Sequence, residues 1–243
     1  MSYALYDDLE GLRFWRQSEL KLRRRIRDTI VETVSSTLLD LNQMWAFEEV
    51  ETPPMMPRPR MNAAYDRSDV FMLQDAPGGM SEWALRAETT DGTYATAVQI
   101  LRSTRMRPPL CVWQMGQSFR RETSDGATAA KLRFNAFNQL EMQCIHGVDT
   151  KADIATAVRE ALVPVVARIT GLETRLLLQT ERVPAYSSET VDIEVLLEDG
   201  EWREVASTSR RTDFPEIPGQ RPCAVFEVAF GADRMVALAQ GGL

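Results

Sequence analysis

Apolar residues recur every fourth position between about Phe14 and Met44, at Leu22, Ile26, Ile30, Val34 and Leu38. That spacing predicts one long helix with a single apolar face. Arg23, Arg24 and Arg25 fall largely off the stripe and are expected on a solvated face. Phe47 and Val50 then suggest a short strand that stops at Pro53 and Pro54, because proline cannot donate to a ladder. Pro57 to Gly79 reads as loop.

The middle of the chain switches to a period of two. From Leu110 to Glu122, Cys111, Trp113, Met115 and Phe119 share one parity, and Gln114, Gly116, Ser118, Arg120 and Glu122 share the other. Thr123–Ala130, with Asp125-Gly126, reads as a turn. A second strand follows in LRFNAFNQLEMQCI, with Arg133, Phe137, Gln139, Glu141 and Gln143 on one parity. If the two strands pair, one sheet face gathers arginine, glutamate, glutamine and phenylalanine. Such a face is costly to bury, and it suits a site for a polyanionic, aromatic ligand. DTKADIATAVREALVPVVARITGL predicts a helix capped by Asp149 or Thr150, kinked at Pro164 and ended by Gly171. Strands are expected near Thr190–Leu197, Glu201–Ser207 and Cys223–Phe230, with a last helix opening at GADRMVALAQ. Helices around clustered strands indicate an α+β fold with an antiparallel sheet, not a doubly wound one.

The chain has 243 residues, enough for one good core or two small ones. No internal repeat or low-complexity tract is visible, and no apolar run approaches a membrane span. The start, MSYALYDDLE, has no basic-then-apolar pattern, so a cytoplasmic protein with no membrane partner is expected. Cys111, Cys144 and Cys223 are far apart in sequence, show no CxxC spacing and read with the lone His146 as a weak metal set. Buried thiols and a structural histidine fit better. The net charge of −7 argues against a non-specific nucleic-acid coat. Local basic patches remain, at Arg102, Arg105 and Arg107 and at Arg58, Arg60 and Arg67. Each reads either as solvated surface or as contact with RNA phosphates.

Several segments together resemble the class II aminoacyl-tRNA synthetases, the glycyl enzymes above all. AFEEVETPPMMP is similar to motif 1 (about 22–57), QSFRRET with RFNAFNQLEMQ to motif 2 (about 110–144), and FEVAFGADRMVAL to motif 3 (about 223–243). LRAETTDG resembles the loop before motif 2. YSSETVDIEV and GEWREVASTSRRTDF resemble the strand pair between motifs 2 and 3. The resemblance runs from about Phe14 to Leu243 and implies one catalytic-core domain over 1–243. The chain stops just inside motif 3, so no anticodon-binding domain is expected.

The resemblance also implies roles. Arg120 would hold the α-phosphate of ATP and the amino-acid carboxylate, and Glu122 would read the adenine amino group. Arg133 and Arg234 would flank the γ-phosphate, and Phe137 would stack on adenine. Glu204 would lie near magnesium, and ATP and Mg would be the cofactors. Glu88, Glu141 and Glu227 would surround the substrate ammonium, with Gln139 and Ala229 beside them. Three carboxylates repel one another unless a positive group sits between them, so a bound amine is expected. The chain departs from the glycyl pattern at Val228 and Ala229, where proline and serine are usual, and at Ala87 and Ser207, which replace a proline and a glycine. The implied activity is activation of a small amino acid and its transfer to tRNA or a tRNA-like acceptor, by a homodimer built on motif 1. Two other readings stay open: a non-catalytic regulatory or accessory subunit, and a ligase acting on a carrier protein.

Overall fold

The computed structural model describes residues 12–41, 44–73, 82–103, 106–122, 132–181 and 183–239. The first eleven residues, Arg105, the turn at 123–130 and the end of the chain from 240 lie outside the described residues.

The helical stripe forms α1, Gln17–Asp40, with Ile26, Ile30, Val34 and Leu38 fully buried. Arg24 and Arg25 are exposed as expected. Arg23 is not: its Nη1 donates to Asp233 at 2.8 Å, and that carboxylate is almost fully buried. The pair ties α1 to the last helix. β1, Ala46–Glu49, follows, and a small sheet is made by β2 (Met55–Pro57), β3 (Met72–Leu73) and β4 (Trp83–Leu85) in the order β2-β4-β3. The stretch from Pro57 to Gly79 is therefore not plain loop; 3₁₀ turns at Arg58–Arg60 and Arg67–Asp69 lie between β2 and β3.

Helix α2, Thr90–Ser103, leads to β5 (Leu110–Phe119) and β6 (Ala136–Gly147). Helix α3, Ile154–Thr170, is capped by Asp153 rather than Asp149 or Thr150. The Asp153 carboxylate accepts the Thr156 amide at 3.3 Å. Pro164 lies inside α3, which continues to Thr170, and Gly171 ends it at φ 70°, a left-handed conformation glycine adopts without steric cost. The chain closes with β7 (Thr174–Leu178), β8 (Ser187–Leu196), β9 (Trp202–Arg211), β10 (Cys223–Gly231) and α4 (Ala232–Leu238).

The main sheet has seven strands in the order β1-β5-β6-β10-β9-β8-β7. Every pairing is antiparallel except β1 with β5, so the sheet is mixed rather than purely antiparallel. The small sheet and α2 intervene between β1 and β5, and this crossover returns the chain in the same direction. One face packs on α1, α3 and α4 through Cys111, Trp113, Met142, Cys144, Phe226 and Val228. Each fully buried side chain of this size contributes about 1.5–3 kcal/mol of transfer free energy. The opposite face is split. Leu110, Val112, Ile145 and Val225 pack with α2 through Tyr94, Ala97 and Leu101. Beyond them the same face turns polar.

Candidate active site

Strand pairing lines up the polar face. Gln114, Glu141, Ala229, Ser207 and Asp192 form one row across five strands, and Gln143, Glu227, Ser209 and Thr190 form part of the next. A register shift between β8 and β9 leaves Val205 as an extra residue. Both Val205 and Ala206 then stay in the helix-side core, and Glu204 returns to the side of Ser207.

Many of the buried polar atoms are paired in a continuous network, although Gln143 Oε1 has no partner in the structure. Arg86, from LRAET, donates to the Thr52 carbonyl at 2.8 Å, the Thr52 hydroxyl at 2.7 Å and the Gln117 carbonyl at 2.7 Å. Its guanidinium passes directly over Gly116, where no side chain would fit. Thr52 in turn donates to Gln114 at 3.0 Å, and Gln114 donates to Thr93 at 2.6 Å. One arginine thus clamps motif 1, the loop before α2 and β5 together. Unpaired groups at this depth would each cost about 1–3 kcal/mol.

A cavity of about 290 Å³ opens on this face. Ten of the residues singled out in the sequence line it: Glu88, Arg120, Glu122, Arg133, Phe137, Gln139, Glu204, Glu227, Ala229 and Arg234. The cationic end holds Arg120, Arg133 and Arg234. Arg120 follows the end of β5; its amide donates to the Asn135 carbonyl at 2.9 Å, its Nε to the Ala87 carbonyl at 3.1 Å and its Nη2 to the Tyr65 hydroxyl at 2.8 Å. Its guanidinium lies 5.3 Å from the Phe137 ring centre. Arg234 donates to the carbonyls of Leu132 at 3.2 Å and Glu204 at 2.5 Å, and burial pushes its pKa down. Arg133 is more than half exposed and reaches Glu122 at 3.4 Å.

Strand parity did not place these groups. Arg120, Glu122 and Arg133 all lie outside the β5–β6 ladder, since β6 begins only at Ala136. Their positions are set by loop hydrogen bonds, including the Glu122 amide to the Asn135 side chain at 3.0 Å.

The acidic end differs from expectation in one respect. Glu141 is fully buried and does not line the cavity. Its oxygens accept Thr89 at 2.8 Å, Gln143 at 2.6 Å and Gln139 at 3.3 Å. Burial, and next the charge of Glu227, push its pKa up to about 8. Glu227 lies beside it and shares Gln143 Nε2, at 2.7 Å. Burial raises Glu227 too, but Arg211 opposes this with Nη1 at 3.1 and 3.0 Å from the two oxygens. Arg211 is itself buried, stacks on Tyr186 at 3.8 Å and also holds Asp213 at 2.6 Å. Of the three glutamates, Glu227 thus receives a cation from the protein itself. Glu88 accepts Asn62 at 3.1 Å and the Tyr65 hydroxyl at 3.0 Å. Burial, and next Glu88, push neighbouring Asp91 to about 7.

Three of the departures have visible consequences. Val228 faces the helix-side core, so only Ala229 alters the cavity wall. Ser207 lines the cavity. Ala87 is buried, and its carbonyl is the one that holds Arg120. Away from the site, Cys111 and Cys144 face each other across β5 and β6 with sulfurs 3.8 Å apart, and His146 Nδ1 lies 3.0 Å from the Gly147 carbonyl. Among the described residues no group of three or more metal-ligating side chains is assembled, and no helix is long and apolar enough to cross a membrane.

The protein thus has a mixed sheet flanked by helices, with a cavity that is cationic at one end and acidic at the other. Residues 71–220 match the family described as the tRNA synthetase class II core domain (G, H, P, S and T), and the chain belongs to that family. It is similar to the glycine–tRNA ligase of Streptomyces coelicolor, 31% identical over 140 residues, covering 54% of this chain and 29% of that protein. The glycine–tRNA ligase of Lachnoclostridium phytofermentans is 27% identical over 171 residues, 62% of this chain and 36% of that protein. The chain thus spans about a third of the length of the curated relatives it matches. Its fold is similar to that of the prolyl-tRNA synthetase from Cryptosporidium parvum, crystallised with halofuginone and AMPPNP. The TM-score is 0.76 at 12% identity, over 97% of this chain and 48% of that one.

Proposed function

We propose that this chain activates a small amino acid with ATP to give an aminoacyl-adenylate, and passes the aminoacyl group to the acceptor end of tRNA. The observation that carries this reading is one cavity with the guanidinium groups of Arg120, Arg133 and Arg234 at one end and the carboxylates of Glu88 and Glu227 at the other. A substrate carboxylate oxygen attacks the α-phosphorus and pyrophosphate leaves, so two anions must meet. Arg120 and Arg234 are placed to bind the phosphates and oppose that charge. Phe137 offers a ring face for adenine and Glu122 an acceptor for its amino group. The half-exposed carboxylate of Glu204 suits magnesium, which needs few protein oxygens beside phosphates and water. Magnesium bound there would neutralise phosphate charge.

Ion pairing supports the amine. Arg211 engages Glu227 and Asp213, whereas Glu88 accepts from the uncharged side chains of Asn62 and Tyr65, so Glu88 is left to meet a substrate ammonium. Ala229 and Ser207 are small, whereas Tyr65 and Tyr186 narrow the same end, which favours glycine, alanine, serine or threonine.

Pyrophosphate exchange across all amino acids, followed by charging of tRNA and of an acceptor minihelix, tests the reading. Exchange is expected with a small amino acid, and the minihelix is expected to be charged about as well as whole tRNA. Exchange only with large aromatic amino acids would refute the pocket. Adenylate formation without charging of any RNA would transfer the acceptor role to a carrier protein. Of the basic residues considered for RNA, Arg58 donates to the Tyr65 carbonyl and Arg67 pairs with Glu82 at the surface, and Arg60, Arg102 and Arg107 are exposed.

We further propose a two-fold homodimer along α1 and β1. The stripe of α1 is spent on the protein's own core, but β1 is a sheet edge, and Leu39 and Met44 are exposed beside it, Met44 at 94%. Sedimentation at tens of micromolar is expected to give a dimer mass. A monomer there would overturn the proposal.

A further inference from the structure

The two ends of the cavity carry opposite charges and face each other across one side chain. Tyr65 donates its hydroxyl to Glu88 Oε2 at 3.0 Å, and the hydroxyl oxygen of Tyr65 accepts Arg120 Nη2 at 2.8 Å. The guanidinium also lies 5.3 Å from the Tyr65 ring centre. Tyr65 comes from the loop between the first 3₁₀ turn and the second, outside every stretch that carried the resemblance. That loop is fastened at several points. The Asn62 amide donates to Asp91 at 3.0 Å, the Ala64 amide to the Asn62 side chain at 2.9 Å, and Arg58 to the Tyr65 carbonyl. Its position is therefore built, not incidental.

A carboxylate and a guanidinium at this spacing, partly shielded from water, attract each other strongly. Joined directly, Glu88 and Arg120 would spend on each other the charge that each needs for a ligand. The interposed hydroxyl satisfies one Glu88 oxygen and one Arg120 N–H. Asn62 takes the other Glu88 oxygen, and the Ala87 carbonyl fixes Arg120 Nε.

We propose that Tyr65 is a positioning residue whose hydroxyl holds the carboxylate of Glu88 and the guanidinium of Arg120 apart, keeping one for the substrate amine and the other for the phosphate. This rests on the reading of the cavity given above. Burial raises the Tyr65 pKa, which keeps the hydroxyl protonated and able to donate.

Tyr65→Phe removes the bridge and keeps the ring. Its crystal structure without ligands is expected to show Arg120 and Glu88 in direct contact, a result independent of any activity. Unchanged placement of both side chains would overturn the proposal. In pyrophosphate exchange with the amino acid preferred by the unaltered protein, kcat is expected to fall about tenfold or more. KM for the amino acid and KM for ATP should both rise, because the two charges are then spent on each other. A melting temperature near that of the parent shows that the loss is not one of folding. Wild-type kcat in Y65F would also overturn the proposal, whereas absence of exchange in the parent would count against the adenylate-forming reading alone. Should Y65F not fold, 4-aminophenylalanine at position 65 keeps the ring and a donor to Glu88, and it is expected to keep Glu88 and Arg120 apart and to retain exchange. Direct contact between the two side chains in that variant would overturn the proposal.

Discussion

Replacing Arg120 with alanine is expected to lower the rate of pyrophosphate exchange by about 10²–10³-fold, the usual cost of losing one preorganised donor to developing charge. Arg120 is the guanidinium best placed for this. It is held by the Ala87 carbonyl and the Tyr65 hydroxyl and faces the cavity beside Phe137. Arg234→Ala is expected to have an effect of the same order, since its guanidinium is fixed by two backbone carbonyls. Arg133→Ala should cost less, because Arg133 is largely exposed and its charge is screened. Arg120→Lys is not expected to rescue, as an ammonium cannot reproduce the planar fork that reaches Ala87 and Tyr65 together. Exchange rates measured with ATP saturating, beside melting curves, separate lost chemistry from lost fold. Rates within about tenfold of the parent in both R120A and R234A would remove the phosphate assignment.

The parts of this molecule visible in its sequence are those where periodicity is unbroken. Ile26 to Leu38 repeat at helical spacing and are all buried. Cys111, Trp113 and Met115 alternate and face the helices. Reasoning by parity stopped serving where the ladder stopped. Arg120, Glu122 and Arg133 stand in loops, so their shared parity singled them out without placing them. The β9 bulge hides Arg211 for a related reason. Arg210 and Arg211 are adjacent and chemically alike, yet Arg210 pairs with Asp153 and Glu189 while Arg211 enters the site. Counting alternation from Glu204 misassigns them, because Val205 adds a residue. Glu141 shows the converse: its parity is right, but Thr89 and two glutamines cover it, and burial by a distant loop leaves no periodic signal. Tyr65 and Arg86 act across long sequence separations and could not be located without the fold.

Arg211 is where the largest effect on stability is expected. Its side chain is 1% exposed and that of Glu227 is 7% exposed. Arg211→Met keeps much of the volume but leaves Glu227 buried with only Gln143 and Thr90 as donors, and leaves Asp213 unpaired on that side. Removing one partner of a buried ion pair costs about 3–5 kcal/mol, which for a chain of this size lowers the melting temperature by roughly 6–20 °C. The loss should depend on pH. Glu227 already has a raised pKa through burial, and without the guanidinium that rise is larger. Between the unfolded glutamate value of about 4.3 and the raised folded value, the native state binds the extra proton, so stability falls as pH increases. The deficit of R211M relative to the parent is therefore expected to be small at pH 5 and larger at pH 8. Glu227→Gln in the R211M background removes the buried charge and should recover a large part of the loss, flattening the pH dependence. Thermal melts of the parent, R211M and the double variant at both pH values make the comparison. A pH-independent deficit, unchanged in the double variant, would mean that Arg211 stabilises through packing on Tyr186 and not by neutralising Glu227.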